Sequence, residues 1–218
     1  DPKNGGDKAT GVIRLNVDKG DGLIKGDVTD KEAEEPTFEK KVIDINDTTG
    51  KTEGPQDSAD YDIGDDVPFV LTAKLADNVT DYEEYSITFH DTLQAGKFGE
   101  AKDFKVTVNG EDVTDSLKNG AKKSGESFAK KLTWSKDEIS KALNGATVVL
   151  TFNAELLPEA NIGAEGNVNK AHLEYSNTPG VDDEGKPIED TDTTPEDAVI
   201  VFTYQVDVNK VDAKGGAL

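Results

Sequence analysis

Residues 67–75 read VPFVLTAKL and residues 85–93 read YSITFHDTL. In the first stretch Val67, Phe69, Leu71, Ala73 and Leu75 share one parity; in the second Tyr85, Ile87, Phe89, Asp91 and Leu93 do. Successive side chains of a strand point to opposite faces, so each row occupies one face and the period of two marks half-buried β-strands. Asp91, set inside an apolar row, is out of place on hydrophobicity alone.

The same period extends outward. C-terminal to these strands, DFKVTVNG (103–110) carries Phe104, Val106 and Val108 on one face, and ATVVLTFNAEL (146–156), NVNKAHLEYSN (167–177) and AVIVFTYQVDVNKVD (198–212) follow as further strands. N-terminal to them, PTFEKKVIDIN (36–46) reads as a first strand, and the polar run 47–66 as a long loop. A second long loop, rich in Pro and Asp, is expected over 178–197. Only SKDEISKALNG (135–145) departs from this period. Ser135 with Glu138 three residues on reads as a capping box, Ile139 and Leu143 are four apart, and Asn144-Gly145 reads as a stop, which predicts one short helix. Many strands, one short helix and long polar turns predict an antiparallel β-sandwich. Residues 1–35, rich in Gly, Lys and Asp, read as a linker segment with a hairpin formed by GVIRLNV (11–17) and GLIKGDV (22–28).

Composition bounds what the sandwich can do. The 218 residues hold 45 acidic against 24 basic side chains, a formal net charge of −21. Such a chain repels polyanions, so neither nucleic acid nor an anionic membrane surface is an expected partner. No stretch approaches the ~20 apolar residues of a membrane span. Cysteine is absent, which removes disulfides, thiol catalysis and thiolate metal sites together. Methionine is absent too, so the expectation is a processed or excised segment of something longer.

His90 and His172 are the only histidines, and each has the parity opposite to its strand's apolar row, so both are expected to face solvent, poorly placed as bases or ligands. No catalytic or metal triad assembles from them, and no metal or cofactor is expected. The acidic runs at 18–22 and 60–66 fail the twelve-residue calcium spacing: counted from Asp60, the position needing a bidentate Glu is Leu71. What stands out are polar residues where the period predicts burial. Lys40 lies in the row of Phe38 and Val42, Asp91 in that of Ile87, Phe89 and Leu93, and Asn169 in that of Ala171, Leu173 and Tyr175. A lone carboxylate or ammonium costs several kcal/mol to bury unless paired, so three buried polar residues on three strands point to one site. The period leaves alternatives open: Ile43 and Ile45 argue for Lys41 as the inward lysine, and Asn167 and Asn177 share the parity of Asn169.

In order along the chain, the K-x-V first strand, the F-H-D-T-L strand end at 89–93 and the N-x-A-x-L-x-Y-S-N stretch at 169–177 resemble the isopeptide-forming domain of backbone pilins from sortase-assembled pili of Gram-positive bacteria. The resemblance covers roughly 36–205 and implies an Ig-like sandwich of the collagen-adhesin type. It also implies that a first-strand lysine, here Lys40, joins a late-strand asparagine, here Asn169, with Asp91 as catalyst. Residues 206–218 resemble the start of a following domain, with Lys210 as that domain's own bond-forming lysine. DPKN at 1–4 resembles the pilin motif, which makes Lys3 a candidate polymerisation lysine, although Asp1 stands where tyrosine is usual. The expectation is thus a structural subunit of a cell-wall-anchored, extracellular pilus shaft, with neighbouring subunits and a sortase as partners. The alternative is the stalk or ligand-binding domain of a surface adhesin that meets host ligands. An enzyme such as a glycan hydrolase would need paired carboxylates in a pocket, with Trp134 as its large stacking platform.

Overall fold

The computed structural model describes residues 34–45, 49–182 and 184–205. The hairpin expected within 1–35, Lys3 and Lys210 lie outside the described residues. The strands are β1 (Thr37–Ile45), β2 (Thr52–Gln56), β3 (Ser58–Asp60), β4 (Asp66–Lys74) and β5 (Glu84–Leu93). They continue with β6 (Lys102–Val108), β7 (Glu111–Asp112), β8 (Lys118–Asn119) and β9 (Phe128–Ser135). The last four are β10 (Thr147–Glu155), β11 (Asn167–Ser176), β12 (Thr191–Thr193) and β13 (Asp197–Phe202).

They form two sheets. The first runs β2-β1-β4-β10-β6-β7, and the second β3-β13-β11-β5-β9-β8 with β12 added on β11. Among the described residues, all pairings are antiparallel except β13 with β3. The apolar rows read from the sequence meet between the sheets. Phe69 and Leu71 of β4 pair with Phe152 and Leu150 of β10, and Ile87 and Phe89 of β5 pair with Tyr175 and Leu173 of β11. All eight are essentially buried. Each large side chain so buried contributes about 1.5–3 kcal/mol, which fixes the register of every central strand.

Three expectations of secondary structure are corrected. The stretch 135–145 does not form a helix: its only helical piece is a 3-10 turn at Lys141–Leu143. One of the two capping-box bonds is nevertheless made, the Ser135 backbone N–H donating to Glu138 Oε2 at 2.8 Å, while the Ser135 hydroxyl donates to the same oxygen at 2.7 Å and the Glu138 N–H donates to the Ser135 carbonyl. They close a turn, because the apolar positions are too few to bury a longer helical face. The polar run 47–66 contains two strands, β2 and β3, and the run 178–197 contains β12. All three pair only along a sheet margin and are mostly exposed, so they carry no apolar alternation for a sequence reading to detect.

His90 is buried, at 2% exposure, whereas parity alone had placed it in solvent. Strand β5 is covered on both sides, because residues 119–127 cross its outer face. Gly120 packs there so closely that a Cβ would lie 2.8 Å from Thr88 Cγ2. The Ser127 backbone N–H donates to the Asp91 carbonyl at 2.7 Å, and the Leu93 N–H donates to Ser127 Oγ at 2.9 Å. His172 is half-buried, and burial first, then the neighbouring His90 and Lys123, hold its pKa below the ordinary value.

Candidate functional site

β1 of the first sheet delivers Lys40 into the core, because its inward row Lys40–Val42 sits against Leu71 and Phe69 of β4. From the other sheet β5 delivers Asp91, and β11 pairs with β5 so that Ala171 lies opposite Asp91 and Asn169 opposite Leu93. Asn169 is therefore the diagonal neighbour of Asp91 on the same face, within reach of a long side chain from across the sandwich. Lys40, Asp91 and Asn169 are all 0% exposed.

Lys40 Nζ lies 2.6 Å from Asp91 Oδ2. It also stands 5.0 Å from the Phe69 ring centroid and 5.3 Å from that of Phe152, so two aromatic rings flank it. The Lys40 backbone N–H is held by Asp197 Oδ2 at 2.8 Å, which pins this part of β1 to the start of β13. Burial is the dominant influence on both groups. It pushes the Lys40 amine below its usual pKa and the Asp91 carboxyl above, and the attraction between the two opposes but does not reverse either shift. Both shifts run toward the uncharged pair, a neutral amine beside a protonated carboxyl, and away from the ion pair.

The Asn169 side chain lies beside Asp91 and, as a weak hydrogen-bond partner, tends to hold its carboxyl down, but the contact falls outside ordinary hydrogen-bond geometry. Asn169 Oδ1 and Nδ2, together with Asp91 Oδ1, are buried without a hydrogen-bond partner. An unpaired buried polar atom costs about 1–3 kcal/mol, and three in adjacent groups are exceptional in a native core.

The alternatives left open by the period differ sharply in setting. Lys41 points outward, with its amine 2.6 Å from Asp57 and 3.1 Å from Glu39. Asn167 is also buried, but its amide is fully used: Oδ1 accepts from the Asn161 N–H at 2.7 Å, and Nδ2 donates to the Asn161 and Val201 carbonyls, each at 3.1 Å. Asn177 lies beyond the end of β11, its N–H bonded to the Asp190 carbonyl. Trp134, the stacking platform considered for a sugar, is partly buried against Tyr85, with ring centroids 6.3 Å apart.

No family model matches the chain. Among curated proteins it is similar to the trypsin-resistant surface T6 protein of Streptococcus pyogenes serotype M6, with 25% identity over 219 residues that take in 93% of this chain and 38% of that protein. Among solved structures it is similar to the 35 kDa C-terminal fragment of the major pilin GBS80 of Streptococcus agalactiae. The TM-score is 0.55 at 18% identity, over 84% of this chain and 61% of that one. The T6 backbone pilin of serotype M6 Streptococcus pyogenes gives 0.52 at 21% identity, over 82% of this chain and 38% of that one. The chain thus has the fold of a backbone-pilin domain and spans less than half of the curated relative's length.

Proposed function

We propose that this chain is a structural domain of a pilus shaft on a Gram-positive cell surface, and that it cross-links itself by an amide bond from Lys40 Nζ to Asn169 Cγ. The observation that carries the reading is the buried Lys40–Asp91 contact beside an asparagine whose amide makes no hydrogen bond of ordinary geometry. The similarity to surface and backbone pilins supplies the context.

In the proposed reaction the neutral Lys40 amine attacks the Asn169 side-chain carbonyl carbon while the Asp91 carboxyl donates its proton to the carbonyl oxygen. A C–N bond forms to give a tetrahedral centre. Asp91 then passes the amine's proton to the leaving nitrogen, the old C–N bond breaks as the carbonyl re-forms, the proton on its oxygen returns to Asp91, and ammonia departs. The Asp91 carboxyl ends as it began. Holding amine and amide together in a folded core supplies the proximity that a bimolecular aminolysis lacks. The product also relieves the core: an amine and a primary amide become one secondary amide with a single N–H to satisfy. Each chain turns over once, so this is self-modification and not enzyme catalysis of an external substrate.

Residues 36–205 form the bond-bearing domain in this reading, 1–35 a linker with Lys3 as the lysine a sortase would join to the next subunit, and 206–218 the entry to another domain. Neighbouring subunits and a sortase are the partners, and the location is extracellular, in a cell-wall-anchored pilus.

The test is the intact mass of the purified 218-residue chain. Loss of ammonia lowers it by about 17 Da. The deficit is expected in the wild type and absent in Lys40→Ala, Asn169→Ala and Asp91→Ala, with the Lys40–Asn169 peptide pair recovered after proteolysis. A full theoretical mass in the wild type overturns the proposal.

A further inference from the structure

On the outer face of the second sheet, away from the proposed bond, the only two histidines of the chain meet. His90 of β5 and His172 of β11 are direct cross-strand partners, and their rings stack with centroids 4.9 Å apart and planes 5° apart. Glu174 lies two residues beyond His172 on the same face of β11, diagonal to His90. From the covering segment comes Glu126, whose Oε2 sits 2.9 Å from His90 Nδ1 and also accepts the Lys123 N–H at 2.7 Å. One ligand atom from each of His90, Glu126 and His172 lies within 4.8 Å of the others.

The second ring nitrogen makes this more than a cluster. His90 is 2% exposed, and its Nε2 has no hydrogen-bond partner. In the neutral ring a proton on Nδ1 facing Glu126 leaves the lone pair on Nε2. Nε2 lies 3.8 Å from Glu174 Oε2, too far for a shared proton. A buried ring nitrogen and a partly exposed carboxylate oxygen at this spacing leave room for a cation between them. Metal bonds of about 2.0–2.1 Å to nitrogen and oxygen span such a gap with small side-chain adjustments. A carboxylate on the far nitrogen of a ligating imidazole is the usual way a ligand ring is oriented.

We propose that this face binds a divalent transition-metal ion of the zinc class, ligated by His90 Nε2, the His172 imidazole and the Glu174 carboxylate, with Glu126 orienting the His90 ring. Two imidazoles and carboxylate oxygen without thiolate suit zinc, nickel, copper or cobalt better than calcium or magnesium. The Lys123 amine, 3.4 Å from Glu174 Oε2, is the cation already nearest this carboxylate and must swing aside when metal enters. A metal here would tie β5 to β11 on the face opposite Asp91 and clamp the segment that covers β5.

The test is titration of the untagged 218-residue chain with zinc chloride, followed by calorimetry and by long-range proton–nitrogen NMR of the imidazoles. With two histidines in the chain, each signal is assignable. The expected result is one-to-one binding with large shifts at His90 Nε2 and at a His172 nitrogen, abolished or strongly weakened by Glu174→Gln and by His172→Ala. Glu126→Gln is expected to weaken it about 10–100-fold, as loss of an orienting carboxylate does. His172 is only half-buried, and the wild-type NMR needs no substitution, so folding failure cannot mask the answer. The absence of zinc binding, binding that leaves the imidazole signals unmoved, or equal affinity in Glu174→Gln and His172→Ala would each overturn the proposal.

Discussion

Substituting Lys40 and substituting Asn169 remove the same proposed bond but leave different cores behind. Asn169→Ala keeps the Lys40–Asp91 contact and deletes two unpartnered polar atoms. Lys40→Ala strips Asp91 of its partner and opens a space lined by Phe69 and Phe152. Both variants lose the constraint of a closed loop of roughly 130 residues, worth on the order of 5 kcal/mol in the chain-entropy account. Both are therefore expected to melt on the order of 10 °C or more below the wild type, with Lys40→Ala the lower of the two by differential scanning calorimetry. Asp91→Asn keeps the shape and removes the proton donor, so it is expected to retain the unreacted mass and to mature slowly if at all. An Asn169→Ala variant that melts with the wild type would count against any covalent tie. The three residues were legible because the strand period assigned them inward faces that their chemistry does not suit. The choice between Lys40 and Lys41 was not legible. Ile43 and Ile45 put apolar side chains on the outer face of β1, half-buried and 37% exposed respectively, and so imitate an inward row.

Among the elements, central strands were readable and margins were not. β4, β5, β10 and β11 bury one full face, and their sequences carry that face as alternation. β2 includes Gly54 and Pro55 and is held by pairing with β1 alone, so nothing in its side chains encodes a strand. The second face of β5 was missed for a related reason. What buries His90 is a loop crossing, governed by Gly120 and Ser127, and periodicity within β5 has no knowledge of it. The Ser135–Glu138 turn shows the opposite case, a local signal that was real but closed a turn in place of a helix. Its two hydrogen bonds, the side-chain one first, hold the Glu138 carboxyl below its ordinary value of 4.5. A carboxyl depressed in the folded state supports folding at pH values above its unfolded pKa, and that support is lost as pH falls through the folded pKa. The NMR titration midpoint of Glu138 is expected below 4.5 in the wild type and to rise toward it in Ser135→Ala, with little change in stability near neutral pH because the group is exposed. An unchanged midpoint in Ser135→Ala would show that the hydroxyl bond is not what holds the carboxyl down.

For the whole molecule, the position of the proposed bond matters more than its contribution to stability. The described chain enters the sandwich through β1 and leaves through β13, so tension applied at its ends loads these two strands. Lys40 sits in β1, and Asn169 sits in β11 directly opposite Val199 of β13. An amide between them would carry force from the entry strand to the neighbour of the exit strand, bypassing β2 through β10 and most of the core. Pulling could then extend only the residues before Lys40 and after Asn169. Without the bond, roughly 130 further residues could be drawn out at about 3.3–3.6 Å each, adding on the order of 450 Å of contour length. Force spectroscopy on the chain held between handles at its two ends is therefore expected to show short extensions for the wild type. An additional lengthening step of that size is expected in Asn169→Ala, whose Lys40–Asp91 contact is otherwise left in place. The same long step in wild type and variant would mean that the sheets alone bear the load, and that whatever mass the chain has lost was not lost across these two strands.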